Sequence, residues 1–180
     1  ELAEQCADWA NVIGITRAPI DSFLTLRGIR TLHPRIRQHE ESATLIANLL
    51  CEQSNVAQVF YPGLENHRGH EIAKRQQRGF GGMVSFEIEG GEAAVRAFVE
   101  NLSYFSLAES LGGVESLVCH PASMTHAPVS EERKAAAGVT PSLIRLSVGL
   151  ELVDDLVADL LGALDAARAA TVLKSVAAAG

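Results

Sequence analysis

Met83-Val-Ser-Phe-Glu-Ile88, then Glu89-Gly-Gly91, then Ala93-Ala-Val-Arg-Ala-Phe-Val-Glu-Asn101 decide the fold class of this 180-residue chain. The first stretch alternates apolar and polar residues, as a half-buried strand must when successive side chains point to opposite faces. The glycine pair breaks it. The third stretch returns to the helical period, with Ala94, Val95, Phe98 and Val99 on one stripe. A strand that runs directly into an amphipathic helix is a unit of sheet covered by helix.

The same two periods recur in both directions. Residues 1–12 read as a helix, with Leu2, Cys6, Trp9 and Ile13 at helical spacing and Gly14 as its stop. Asp21 is placed to cap a second helix carrying Phe23, Leu26, Ile29 and Arg30. Pro34 kinks or restarts that helix, and Ile36, Ala43, Ile46, Ala47 and Leu50 carry the pattern on to about Glu52. Val56-Ala-Gln-Val-Phe-Tyr61 reads as a strand closed by Pro62-Gly63, and residues 71–78 as a polar, exposed helix. Strands are expected at 104–108 and 143–148, with a short helix at 131–137 between them. An amphipathic helix over 153–169 follows, with Leu156, Val157, Leu160 and Leu164 on one face, and then a fraying alanine-rich tail. No strict βαβ alternation runs through this order. The expected class is therefore α+β: a small, mostly antiparallel sheet covered by helices on one face. The expected organisation is linking helices over 1–52, a small domain over 53–170 and a tail over 171–180.

Composition narrows the function. Apolar residues are 47% of the chain, enough for a core, and 21% charged residues argue against disorder. A net charge of −7 argues against nucleic acid as partner, since binding it needs clustered lysine and arginine. No apolar run reaches the roughly 18 residues needed to cross a bilayer. Neither a signal peptide nor a CxxC pair occurs, so Cys6, Cys51 and Cys119 are read as buried free thiols and the compartment as cytoplasmic. The chain starts at Glu1 inside a helical pattern, which reads as a piece of something longer.

Two segments carry the chemistry. Leu107-Ala-Glu-Ser-Leu-Gly-Gly-Val-Glu-Ser116 sets a carboxylate and a hydroxyl before a Gly-Gly turn. Leu143-Ile-Arg-Leu-Ser-Val-Gly149 threads one guanidinium through a strand, with Arg145 and Ser147 on the face opposite Ile144 and Leu146. An arginine beside a glycine turn suits a ligand carboxylate, because its planar fork grips two oxygens together. The competing reading pairs Arg145 with Glu115 or Glu151. His67 and His70 lie three apart but lack a carboxylate that completes a metal pattern, so no metal is expected. GxSxG, Walker and HExxH patterns are all missing.

Leu107-Ala-Glu-Ser-Leu-Gly-Gly-Val-Glu-Ser-Leu117, His120-Pro-Ala-Ser-Met-Thr-His126 and Arg145-Leu-Ser-Val-Gly-Leu-Glu151 resemble the C-terminal region of the cysteine/methionine-metabolism pyridoxal-phosphate enzymes. Asp21-Ser-Phe-Leu-Thr-Leu-Arg-Gly-Ile-Arg-Thr-Leu32 and Gly69-His-Glu-Ile-Ala-Lys-Arg-Gln76 fit as well, nearest to bacterial cystathionine γ-synthases. The likeness covers residues 1–168. It implies a fold-type I enzyme, commonly a tetramer of tight dimers, whose large domain holds the cofactor on a lysine and whose C-terminal domain closes the substrate site. By this resemblance Arg145 clasps the α-carboxylate of an amino-acid substrate, and Ser110 with the backbone at Leu111 supports that contact. Glu109 matches a glutamate near the substrate's γ-end, where the β-lyase branch typically carries an aromatic residue. Thr125 lies in a motif lining the same cleft.

Lys74, Lys134 and Lys174 do not match the family's cofactor-bearing lysine. The remaining cofactor-binding groups belong to the large domain, which is not in this chain. The resemblance thus implies a C-terminal domain with its linking helix, holding no pyridoxal phosphate and no catalytic residue by itself. The implied parent reaction is γ-replacement on an activated homoserine ester by cysteine. Cystathionine γ-lyase and homoserine-ester sulfhydrylase share the motifs, and a non-catalytic amino-acid-binding or assembly module is the alternative of another class.

Overall fold

The computed structural model describes residues 1–14 and 18–178, with side chains described as far as residue 172. It divides into two compact units, Glu1–Pro34 and Arg35–Gly180. The boundary lies well before the expected 52/53, because the helix that crosses it buries Ala43, Ile46, Ala47 and Leu50 in the core of the larger unit.

In the first unit, α1 (Leu2–Ile13) ends at Gly14, whose N–H bonds the Ala10 carbonyl. Helix α2 (Pro19–Arg30) starts after Ala18 rather than at Asp21. Pro19 stands at the first helical position, where a fixed φ favours the helix and the missing N–H is not needed. Asp21 sits in the first turn, where its charge meets the positive end of the helix dipole. Neither helix buries a residue, and Trp9 and Phe23 are 64% and 58% exposed.

Helix α3 (Leu32–Cys51) starts two residues after α2 ends, with Pro34 in its first turn. The proline restarts the helix there without cost, since first-turn N–H groups have no intrahelical acceptor. The sheet follows: β1 (Val56–Phe60), β2 (Met83–Ile88), β3 (Ser106–Leu107), β4 (Leu117–Cys119) and β5 (Leu143–Ser147), in spatial order β1-β2-β5-β4-β3. All pairs are antiparallel except β3 with β4. The remaining helices are α4 (His70–Gln76), α5 (Gly91–Glu100), α6 (Glu131–Ala136) and α7 (Val153–Ala178). This is the α+β arrangement expected, with a mostly antiparallel sheet.

The alternation in β2 sorts the two faces. Val84, Phe86 and Ile88 are buried, and Ile144 and Leu146 join them from β5. These residues form one core with α3, with Ala94, Val95 and Phe98 of α5, and with Leu156, Leu160 and Leu164 of α7. Phe86 and Phe98 meet edge to face, ring centroids 5.5 Å apart. The opposite face carries Ser85, Arg145 and Cys119 in one cross-strand row.

Several boundaries differ from the sequence reading. The strand expected over 104–108 shrinks to Ser106–Leu107, because the N–H groups of Ser103, Tyr104 and Phe105 donate to the Asp159 carboxylate on α7 instead of to a strand. Strand β4, only three residues long, is too short for alternation to reveal. Helix α4 starts one residue early because His70 is buried, stacked on Phe80 and bonded through Nδ1 to the Pro62 carbonyl. Its partner in the spacing, His67, accepts from the Gly69 N–H. Helix α7 continues to Ala178 rather than ending near 169; residues 179–180 of the expected tail lie outside the described residues.

The cysteines also depart from the reading as buried thiols: only Cys119 is buried, while Cys6 and Cys51 are exposed. Burial of the sulfur, and then the neighbouring Glu52 charge, push the Cys51 thiol above its ordinary pKa. Two thiols should therefore be modified in the native protein by a small alkylating reagent near pH 8. Cys51 should react more slowly than Cys6, and Cys119 only after unfolding, a pattern peptide mass mapping reads directly. Among the described residues, no helix is long and apolar enough to cross a membrane.

Candidate functional site

Arg145 occupies the middle of β5, paired with Ser85 on one side and Cys119 on the other. Its side chain is thus launched from the open face of the sheet at a fixed register. One nitrogen, Nη2, donates to the carbonyl oxygens of Glu109 and Ser110, each at 3.1 Å. The Nε–H is buried and has no partner. A buried donor without an acceptor costs about 1–3 kcal/mol, so such a group marks a place where an acceptor is wanted.

The turn that receives Arg145 joins β3 to β4. It is anchored at its base by the parallel bonds from Ser106 N to Ser116 O and from Ala108 N to Val118 O, both 3.0 Å. Gly112 adopts φ 74°, the left-handed region where a side chain is disfavoured. Its N–H donates to Ser147 Oγ at 2.8 Å. Past β5, Gly149 N donates to Ser116 Oγ at 2.8 Å, and Leu150 N to the Val114 carbonyl at 2.8 Å. The Glu151 carboxylate accepts from Ser116 N at 2.8 Å and from Ser116 Oγ at 2.7 Å.

The structure therefore brings Arg145, Glu109 and Ser110 together, through backbone carbonyls of the last two and not through their side chains, which are exposed. Leu111 is next in the turn and 54% exposed. Thr125 lies in the turn-rich segment after β4, where its hydroxyl bonds His126 Nδ1 at 2.9 Å. Among the described residues, no hydrogen bond joins it to the Arg145 turn. The pairing of Arg145 with Glu115 or Glu151 is not formed: Arg145 goes to carbonyl oxygens, and Glu151 goes to Ser116. Ser147, Ser116 and Glu151 were not singled out as site residues by sequence. The signal for Ser147 was present, since alternation puts it on the Arg145 face.

The end of β5 is held from the helical side too. His39 of α3 is buried, with Nδ1 2.6 Å from the Val148 carbonyl. A carbonyl only accepts, so Nδ1 carries the proton there. Two surface clefts are lined by other segments, the first reaching Leu107 at the foot of the turn. One, of about 570 Å³, runs between α5 and the 120–124 segment; the other, of about 850 Å³, follows β1.

Comparison with known proteins gives the family. The family model described as Cys/Met metabolism PLP-dependent enzyme matches residues 1–165. Escherichia coli (strain K12) cystathionine gamma-synthase is 49% identical over 160 residues, which are 89% of this chain and 42% of the relative. Cystathionine beta-lyase of Lactococcus lactis subsp. cremoris is 53% identical over 165 residues, 92% of this chain and 43% of the relative. The crystal structure of cystathionine gamma synthase from Xanthomonas oryzae pv. oryzae, in complex with aminoacrylate and cysteine, superposes with a TM-score of 0.87 at 58% identity. That match covers 94% of this chain and 44% of that one. The chain spans less than half the length of these relatives. With the motifs, the sheet and the matched length all in agreement, the chain belongs to the Cys/Met metabolism PLP-dependent enzyme family.

Proposed function

We propose that this chain is the C-terminal, substrate-closing part of a cystathionine γ-synthase-like enzyme, in which Arg145 receives the α-carboxylate of an amino-acid substrate. The observation that carries the reading is the state of the guanidinium. Two carbonyls hold Nη2, so the plane is oriented, while the buried Nε–H is left for an acceptor. A ligand carboxylate oxygen supplies that acceptor, in a charge-assisted bond to Nε–H. The neighbour from Xanthomonas oryzae, also solved in complex with cystathionine, supports a carboxylate of this class as the ligand.

In the parent, the substrates are an activated homoserine ester and cysteine, joined by γ-replacement. Glu109, exposed at the head of the turn, stands near the γ-end of the substrate; Ser110 and Leu111 line its acid end, and Thr125 the wall of the same cleft. Pyridoxal phosphate supplies the electron sink for this chemistry. The residues of this chain do not fit a seat for it. Of the two lysines with described side chains, Lys74 is exposed on α4 and Lys134 is tied to Glu131 at 2.9 Å. The cofactor is held by the remainder of the parent, which also covers the exposed apolar residues of α1 and α2 in a tetramer working in the cytoplasm.

A γ-lyase reading is kept alive by one number: cystathionine gamma-lyase of Dictyostelium discoideum is 51% identical over 155 residues, close to the synthase value. The full-length protein should therefore be assayed with homoserine ester plus cysteine, with ester plus sulfide, and with cystathionine alone. Cystathionine formed from the first pair supports the synthase. Turnover of cystathionine alone supports the lyase, and turnover only with sulfide the sulfhydrylase. Inactivity in all three, with amino-acid binding retained, would leave the non-catalytic module.

A further inference from the structure

We propose that Glu151 is a positioning residue for the carboxylate site, holding the 109–116 turn so that its carbonyls stay aimed at Arg145. The proposal rests on the reading of Arg145 as the carboxylate-binding group.

The argument is one of period. Strand β5 and the segment leaving it present alternate residues to one side, and each fixes a successive point of the turn. Arg145 holds the Glu109 and Ser110 carbonyls, and Ser147 takes the Gly112 N–H. Gly149 donates to Ser116 Oγ, and Glu151 takes both Ser116 N–H and Oγ–H. The turn is thus templated point by point on one edge. Contact at the third point leaves no room for a side chain: a Cβ on Gly149 would lie 2.5 Å from Ser116 N and 2.6 Å from the Glu115 carbonyl carbon.

At the last point the acceptor pattern demands a carboxylate. Ser116 is fully buried, and its hydroxyl accepts from Gly149 N while donating to Glu151 Oε2. Glu151 Oε1 takes the Ser116 N–H. Both oxygens of residue 151 accept here, and glutamine has only one acceptor oxygen: its amide nitrogen then either faces the Ser116 N–H, donor against donor, or takes the place of the oxygen that received the Ser116 Oγ–H, leaving that buried hydroxyl proton without its acceptor. Such linked bonds strengthen one another, so losing one loosens the chain. The free end of the turn then moves, and the carbonyls at 109 and 110 leave Nη2. Arg145 keeps its charge but loses its fixed plane.

The test uses Glu151→Gln, with Ser147→Ala as a second variant that deletes one point and no charge, in the full-length protein. Competitive inhibition by L-norvaline is compared with that by n-butylamine, the same molecule without its carboxylate. Hydrogen exchange is followed at the turn. Glu151→Gln should weaken norvaline inhibition by roughly tenfold, the scale of one charge-assisted hydrogen bond, and leave butylamine within about twofold. Exchange over residues 109–116 should quicken. Ser147→Ala should move both readouts in the same direction by less. Equal weakening of both inhibitors would mean general loosening and overturn the proposal, as would unchanged norvaline inhibition alongside a large effect of Arg145→Ala. If Arg145→Ala itself leaves norvaline inhibition intact while the turn exchanges faster in Glu151→Gln, the carboxylate reading has failed and the proposal falls with it.

Discussion

Replacing Arg145 by alanine in the full-length enzyme should lower kcat/KM by about 30–150-fold, corresponding to the 2–3 kcal/mol of a charge-assisted contact to a carboxylate. Most of the loss should appear in KM, because the α-carboxylate is held alike before and during reaction. Two physical terms add here. The substrate loses its charged partner, and the turn loses the donor that holds the Glu109 and Ser110 carbonyls. Arg145→Lys should recover little. An ammonium is a point charge with no fixed plane, so its hydrogens do not reproduce the spread of donors that holds the two carbonyls and leaves Nε for a carboxylate. Steady-state kinetics with the ester as varied substrate decides it, and unchanged values in Arg145→Ala would return the residue to a purely structural role.

Replacing Phe98 by alanine should lower the unfolding free energy of the sheet unit by about 3–5 kcal/mol, through lost burial and the cavity left behind. The ring is fully buried between sheet and helix and meets Phe86 edge to face, so the site cannot collapse around the smaller residue. Out of a total of about 5–15 kcal/mol, such a loss is a large share. Urea unfolding should show a lower midpoint with an unchanged slope. Phe23→Ala on α2 makes the control when both variants are made in this 180-residue chain alone, where that ring is 58% exposed and its loss should stay within about 0.5 kcal/mol. Equal shifts for the two would contradict the core as described.

How far the site could be read from sequence varies residue by residue. Arg145 and Ser147 were placed on one strand face by period alone, and the structure has them there, both engaging the same turn. Sequence alone offers Glu151 only as an ion-pair partner of Arg145, since two opposite charges six residues apart invite that reading. The structure gives it to Ser116 instead. The contraction of β3 was illegible for a similar reason: the acceptor for three of its neighbouring N–H groups, Asp159, lies more than fifty residues away.

Alternation and helical stripes are set by bond geometry within a few residues, so the chain alone determined its α+β class, its helix-covered strand face and the arginine that faces the other way. Which atoms answer that arginine is set by strand register and by the path of a glycine turn some 35 residues upstream. No local pattern encodes such a distance. Only the assembled sheet could decide that carbonyl oxygens, not the side chains of Glu109 and Ser110, meet Nη2, and that Nε is left open for an acceptor.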